Sequence, residues 1–219
     1  MSNTDTSAVH ATLLVTPSCP HCPAMKQILT ALSQQEKLAS LEIVDISVDL
    51  ERAVKLGVRS VPWLQLNALE LQGVHTEEEI LFWLKQATLK EGRQVLFDSL
   101  LEVGQLSQVE LMLRRQPEGL SDLLVLFADQ ERLINVRIGA AAVLETLQGS
   151  GLLEKSVEEI GRYTHNTQPS TRIDACHVLS FTHHPSAVLF LKSALNDEDA
   201  EVREVARESL EELAEKGFS

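Results

Sequence analysis

The pattern of apolar and polar residues changes at about residue 90. Before this point, short apolar runs alternate with amphipathic stretches of helical length, which is typical of strands mixed with helices. Beyond it, strand-like alternation disappears and helix-length segments follow one another, separated by glycines and prolines. The pattern therefore predicts a mixed α/β domain over residues 1–90 and an all-helical domain over residues 91–219.

Four strands and three helices are expected in the first domain. The predicted strands cover residues 13–16, 41–46, 63–66 and 69–72, the last two forming a hairpin. The predicted helices cover residues 24–35 and 49–56, and a third begins at the capping box of Thr76 and Glu79. Gly57 is suited to the left-handed conformation that ends the second helix.

One motif recurs in the helical domain: an arginine, an alanine three residues later, and a leucine four residues after that. Its copies begin at Arg137, Arg172 and Arg203, which are 35 and 31 residues apart. Repeats of this length predict a solenoid of helix pairs. They resemble short HEAT-like repeats, whose arginine and acidic turn lock neighbouring units together, and residues 94–130 are expected to be degenerate units.

The candidate chemistry lies in Cys19-Pro20-His21-Cys22, where the first strand gives way to a helix. Only the thiolate attacks a disulfide, and unpaired N–H groups at a helix start stabilise negative charge. Cys19 is therefore the predicted nucleophile, with Pro20 and His21 tuning its thiolate. Cys22, one turn further in, is the predicted resolving cysteine.

The unit of strand, CPHC and helix, and the segment from Leu56 to Pro62 with the hairpin behind it, resemble the thioredoxin-like superfamily over residues 10–90. The resemblance implies a mixed four-stranded sheet flanked by helices. It also implies a cis Pro62 packed against the disulfide, with the backbone of Val61 binding substrate. Trp63 is most simply interpreted as a core or rim residue, and its place beside Pro62 also makes it a candidate substrate-binding residue at the border of the groove.

Within that superfamily the early first strand is more similar to glutaredoxins or to half of an archaeal-type protein disulfide oxidoreductase, and CPHC is similar to the oxidase DsbA. Ser18 stands where thioredoxins have Trp. Leu13 falls where they keep a buried acid, so the proton of Cys22 must leave through water or another group. Residues 72–75 replace the glutathione-clamping Gly-Gly-Asp of glutaredoxins, which favours protein substrates.

Composition and the lengths of the apolar runs limit which binding partners and which cellular compartment are expected. A net charge of -13 argues against nucleic acid, because binding phosphate needs clustered Lys and Arg. No apolar run reaches the roughly 18 residues that a membrane span needs. The polar start of the chain lacks the apolar core of a secretory signal, so a cytoplasmic location is expected.

Metal binding is the weaker interpretation of the cysteines. A structural zinc ion needs four ligands, and the chain has no second CxxC or CxxH pair, so no metal is expected. Cys176 has His177, His183 and His184 nearby in sequence. It is interpreted as a small buried residue of a repeat helix.

These observations lead to the hypothesis of a thiol-disulfide oxidoreductase that acts on protein substrates. The Cys19/Cys22 disulfide is its redox centre, no other cofactor is expected, and the helical domain binds an unidentified protein. The alternative is a redox-regulated adaptor or holdase-type chaperone in which the helical domain carries the main function.

Overall fold

The computed structural model describes residues 9–218. The chain divides into two compact units, Met1–Leu96 and Phe97–Ser219. The boundary predicted between residues 90 and 91 lies in the turn before the helix Gly92–Glu102. The observed boundary lies within that helix. The polar start of the chain, where no secretory signal is expected, falls mostly in residues 1–8. These residues lie outside the described part of the chain.

The first unit is built on a sheet of four strands. They are β1 (His10–Val15), β2 (Ser40–Asp45), β3 (Trp63–Leu66) and β4 (Leu69–Gln72), and they lie in the order β2-β1-β3-β4. The first two pair in parallel, whereas β3 is antiparallel to both β1 and β4. The predicted mixed sheet is confirmed.

The first and last residues of β1 and β2 differ from the prediction, whereas β3 and β4 have the predicted bounds. The first strand begins at His10, which pairs with Ser40 and whose N–H donates to the side-chain oxygen of Asn67 at 3.0 Å. Backbone pairing does not require apolar side chains, so hydropathy alone missed these polar strand ends.

Three helices accompany the sheet: α1 (Cys22–Gln34), α2 (Leu50–Lys55) and α3 (Glu77–Gln86). The first starts two residues earlier than predicted, because Pro23 is tolerated in a first turn where its missing N–H has no partner to lose. The predicted capping box of α3 is confirmed: Thr76 and Glu79 each accept the other's backbone N–H.

The sheet has a buried core on both faces. Leu14 and Trp63 form one apolar cluster with Ala53 of α2. Leu13 and Leu64 are also fully buried, and they point to the opposite face because successive side chains of a strand alternate. The strand that leads into the CPHC segment is thus fixed from both sides.

The second unit is helical, and no strand occurs among its described residues. Its elements are α4 (Gly92–Glu102), which contains the division between units, α5 (Leu106–Arg115), α6 (Leu120–Ala128), α7 (Ile134–Thr146), α8 (Leu152–Lys155), α9 (Val157–Arg162), α10 (Pro169–Ser180), α11 (Pro185–Ala194) and α12 (Ala200–Glu215). The three arginine motifs lie on α7, α10 and α12. Each of these helices packs on the helix before it, α6, α9 and α11, so the predicted helix pairs are present.

Two of the three motif arginines, Arg137 and Arg172, join successive repeats. Arg172 of α10 forms a two-pronged ion pair with Asp197, in the turn before α12, at 2.7 and 2.8 Å. Arg137 of α7 reaches Asp174 of α10 at 3.3 Å. These contacts agree with the structural role that the repeat motif predicts.

Candidate active site

Cys19 and Cys22 are joined in a disulfide, with their Cα atoms 5.5 Å apart. Cys19 lies in the turn after β1, where its N–H donates to the carbonyl oxygen of Thr16 at 3.2 Å. Its side chain is partly exposed, whereas Cys22 is 3% exposed. A disulfide substrate can therefore reach Cys19 but has almost no direct access to Cys22.

The backbone of α1 is directed at the sulfur of Cys19. The N–H of Cys22, the first residue of α1, donates to this sulfur at 3.1 Å. Such an N–H carries positive partial charge and has no partner within the helix, so it stabilises a thiolate at Cys19 once the disulfide opens. The structure thus provides the helix-start contact on which the predicted chemistry depends.

Val61, the residue before Pro62, contacts the same sulfur. The carbonyl oxygen of Val61 is 3.7 Å from Sγ of Cys19, close enough to accept from the S–H group of the reduced form. The Val61–Pro62 peptide bond is cis, the isomer that the resemblance implies. The carbonyl oxygen of Pro62 accepts from the N–H of Gly73 at 2.9 Å, which ties this segment to the end of β4.

Trp63 is a core residue and not a border of the substrate groove. Its side chain is 1% exposed and packs with Leu14 and Ala53, so the predicted contact with substrate is corrected. The error has a simple cause: β3 begins at Trp63, and the alternation of the strand turns this large side chain inward.

Pro20 and His21 are exposed beside the disulfide. His21 is the N-cap residue of α1, yet its side chain makes no capping hydrogen bond. Both residues are available at the surface that a substrate would approach, and their predicted influence on the Cys19 thiolate stays a prediction.

Sequence reasoning missed two charged residues near Cys22. An open cavity of about 360 Å³ is lined by Cys22 together with Lys26 and Asp45. Lys26 is one turn beyond Cys22 on α1, and Asp45 is the last residue of β2. The sequence signal that could have found Asp45 is an acidic residue close to the end of a predicted strand, since the ends of neighbouring strands are where side chains of a site meet.

Cys176 is separate from this chemistry. It is fully buried in α10, and burial raises the pKa of its thiol to about 12. His177 contacts the ring of Phe181, and His183 stacks on Phe218. Among residues 9–218 no group of three or more His, Cys, Asp and Glu side chains is placed to hold a metal ion.

Comparison with known proteins accounts for both units. The family model described as "Thioredoxin domain" matches residues 9–85, and that described as "HEAT repeats" matches residues 115–211. The "Probable Thioredoxin" of Archaeoglobus fulgidus is 31% identical over 84 residues, which cover 37% of this chain and 90% of that protein. The chain belongs to the thioredoxin family.

A second relative is similar over almost the same length of the chain. The "Thioredoxin" of Methanocaldococcus jannaschii is 28% identical over 82 residues, covering 36% of this chain and 96% of that protein. The first unit is thus a thioredoxin domain with a redox-active cysteine pair, joined to a HEAT repeat domain. A thioredoxin domain implies protein thiols as substrates, and HEAT repeats imply contacts between proteins. None of the described helices is long and apolar enough to cross a membrane.

Proposed function

We propose that this protein is a thiol-disulfide oxidoreductase that exchanges disulfides with protein substrates through Cys19 and Cys22. The observation that carries the proposal is the 3.1 Å contact from the N–H of Cys22 to Sγ of Cys19, because it stabilises the attacking thiolate on the accessible cysteine. The disulfide itself is the redox centre, and the proposal includes no other cofactor.

The exchange proceeds in two steps. The Cys19 thiolate attacks one sulfur of a substrate disulfide, and the other substrate sulfur leaves with the electron pair and takes up a proton. Cys22 then attacks Cys19, the mixed disulfide breaks, and the substrate is released fully reduced while the Cys19–Cys22 bond forms. The proposal assigns this cycle to a reducing compartment such as the cytoplasm, where CxxC pairs are commonly catalytic.

We assign partner binding to the HEAT domain, on the basis of its surface. A cavity of about 230 Å³ between α7 and α10 is lined mainly by apolar side chains, with Glu145, Asp174 and His177 among them. Ile138, at this cavity, is 62% exposed, although burial of such a side chain would be favourable. The same surface favours the second candidate function, a holdase-type chaperone or adaptor.

Insulin turbidity separates the two functions. With dithiothreitol as reductant, an oxidoreductase shortens the delay before the insulin B chain aggregates, whereas a holdase lengthens it. We expect the wild type to shorten the delay and Cys19→Ser to leave it at the level of dithiothreitol alone. Cys176→Ala is the matched control and should act as the wild type does.

The opposite results would overturn the proposal. Aggregation suppressed equally by the wild type and by Cys19→Ser would favour the holdase. A wild type with no effect on the delay would remove the proposed exchange of protein disulfides.

A further inference from the structure

The resolving step requires an acceptor for the proton of the Cys22 thiol, because only the thiolate attacks the mixed disulfide. Leu13, which falls where thioredoxins keep a buried acid, is fully buried and has no group that accepts a proton. A different route is therefore needed if the proposed function is correct, and the following inference rests on that function.

Asp45 is placed on the side of the sheet where Cys22 lies. It pairs with Val15, the last residue of β1 and two positions after Leu13. Side chains two residues apart on a strand share a face, and directly paired residues do so as well, so Asp45 projects to the same face as Leu13. On that face it lines one cavity with Cys22.

The cavity is suited to water. Its volume of about 360 Å³ is many times the ~30 Å³ that one water molecule occupies in the liquid, and it opens to solvent. Lys26 and Asp45 are the charged residues among its described lining residues. Two further titratable groups lie nearby: His21 at the start of α1, and Asp49, whose carboxylate caps α2.

The Asp45 carboxylate is oriented, and one of its oxygens is available. Oδ1 accepts from the N–H of Ser47 at 2.9 Å and from its hydroxyl at 2.6 Å. These hydrogen bonds lower the pKa of Asp45, so the group is an anion at neutral pH. Within residues 9–218 no identified hydrogen bond uses Oδ2, which leaves this oxygen for a water molecule in the cavity.

We propose that Asp45 holds the water that takes the proton from Cys22, which makes it a positioning residue for the resolving step. The Sγ–H proton of Cys22 passes to this water and from there to solvent. The new thiolate attacks Sγ of Cys19, so that the Cys19–Cys22 bond forms as the bond between Cys19 and substrate breaks. The electron pair leaves on the substrate sulfur, which is reduced and takes a proton from water; the substrate disulfide supplies the oxidising equivalent.

The aromatic disulfide dithiobis(nitrobenzoate) tests the proposal because it reports the two steps separately. One equivalent, mixed with the reduced full-length protein, releases one coloured thiolate when Cys19 attacks and a second when Cys22 resolves the adduct. Asp45→Asn keeps an oxygen for Ser47 and removes the charge. Asp49→Asn makes the same change at a similar turn outside the cavity and is the matched control.

We expect Asp45→Asn to slow the second phase by about tenfold at neutral pH, a modest part of what general base catalysis provides. The difference should shrink as pH rises, because ionised Cys22 no longer needs an acceptor. The first phase should be unchanged, which also shows that the site is folded, and Asp49→Asn should match the wild type in both phases.

Other outcomes contradict the inference. A second phase in Asp45→Asn that equals the wild type shows that Asp45 only stabilises its turn. A faster second phase shows that its charge merely opposes the Cys22 thiolate. Failure of the proposed function is distinguishable because it would appear in the insulin assay of the wild type, whereas both releases from the aromatic disulfide need only the Cys19/Cys22 dithiol.

Discussion

At the scale of single residues, the two cysteines of the redox pair differ in access and in surroundings. Cys19 is partly exposed and receives the N–H of the first residue of α1, whereas Cys22 is 3% exposed. A sulfur that is both accessible and stabilised as an anion attacks first. The order of the two steps therefore follows from their positions at the end of β1 and the start of α1.

This order predicts a trapped intermediate. We expect reduced Cys22→Ser to accumulate a mixed disulfide between Cys19 and an insulin chain, because the other remaining thiol, that of Cys176, is buried in α10 and cannot resolve it. Electrophoresis without reductant, followed by mass spectrometry, measures the adduct. Cys19→Ser should form little adduct, since its two remaining thiols, Cys22 and Cys176, are both buried; equal adducts from both variants would contradict the assignment of nucleophile and resolving residue.

At the scale of elements, local sequence signals determine where α3 begins. Thr76 accepts from the N–H of Glu79 at 3.2 Å, and the carboxylate of Glu79 accepts from the N–H of Thr76 at 2.7 Å. The hydrogen bond at Thr76 lowers the pKa of Glu79, which keeps this group anionic beside the positive helix end. The helix so positioned packs Ile80 and Leu84 into the core.

Removing this cap should destabilise the thioredoxin domain. We expect Thr76→Ala to lower its free energy of unfolding by about 1 kcal/mol, the usual value of an N-cap hydrogen bond. Both tryptophans of the chain lie in this unit, so denaturant unfolding followed by tryptophan fluorescence measures the change.

Thr30→Ala is the control for the cap. Thr30 lies inside α1 and its hydroxyl donates to the carbonyl oxygen of Lys26, a bond that its helix does not require. Its replacement should change the unfolding midpoint much less than Thr76→Ala does. Equal effects of the two changes would show that the capping box adds nothing specific.

At the scale of the whole molecule, the HEAT domain depends on ion pairs between successive repeats, whose partners are far apart in sequence. The side chains of Arg172 and Asp197 are 6% and 10% exposed, and Arg172 also donates to the carbonyl oxygens of Asn166 and Thr167. A charge so buried is costly without its partner. The pair therefore stabilises the register between α10 and α12.

We expect Arg172→Met to destabilise the HEAT domain by about 3 kcal/mol, because Asp197 would be left buried without its partner. Hydrogen exchange of peptides from α10 and α12 measures the loss. Arg207→Met is the control: Arg207 pairs with Glu204 and Glu211 at the exposed surface of α12, and its loss should have no measurable effect.

The same ion pair predicts how stability depends on pH. Arg172 holds the pKa of Asp197 below its ordinary value of 3.8. The stabilisation is therefore complete above that value and is lost as pH falls through the lowered pKa. The difference in exchange between wild type and Arg172→Met should be constant between pH 5 and 7 and shrink in more acidic solution, down to about pH 2; a constant difference throughout would contradict the role of this pair.

The sequence by itself determined the features that local chemistry controls. The turn at Gly57, the capping box at Thr76, the CPHC segment and the spacing of the repeat arginines each depend on neighbouring residues, so they are readable along the chain. The two-domain pattern of a mixed sheet followed by helix pairs came from periodicity in the same way.

Only the tertiary structure decided which side chains meet across strands and repeats. Pairing between β1 and β2 brings Asp45 to the cavity at Cys22, and the alternation of β3 turns Trp63 into the core. Asp197 meets Arg172, which stands 25 residues earlier in the sequence. Such contacts depend on strand register and helix packing, which join residues distant in sequence and leave no local pattern to read.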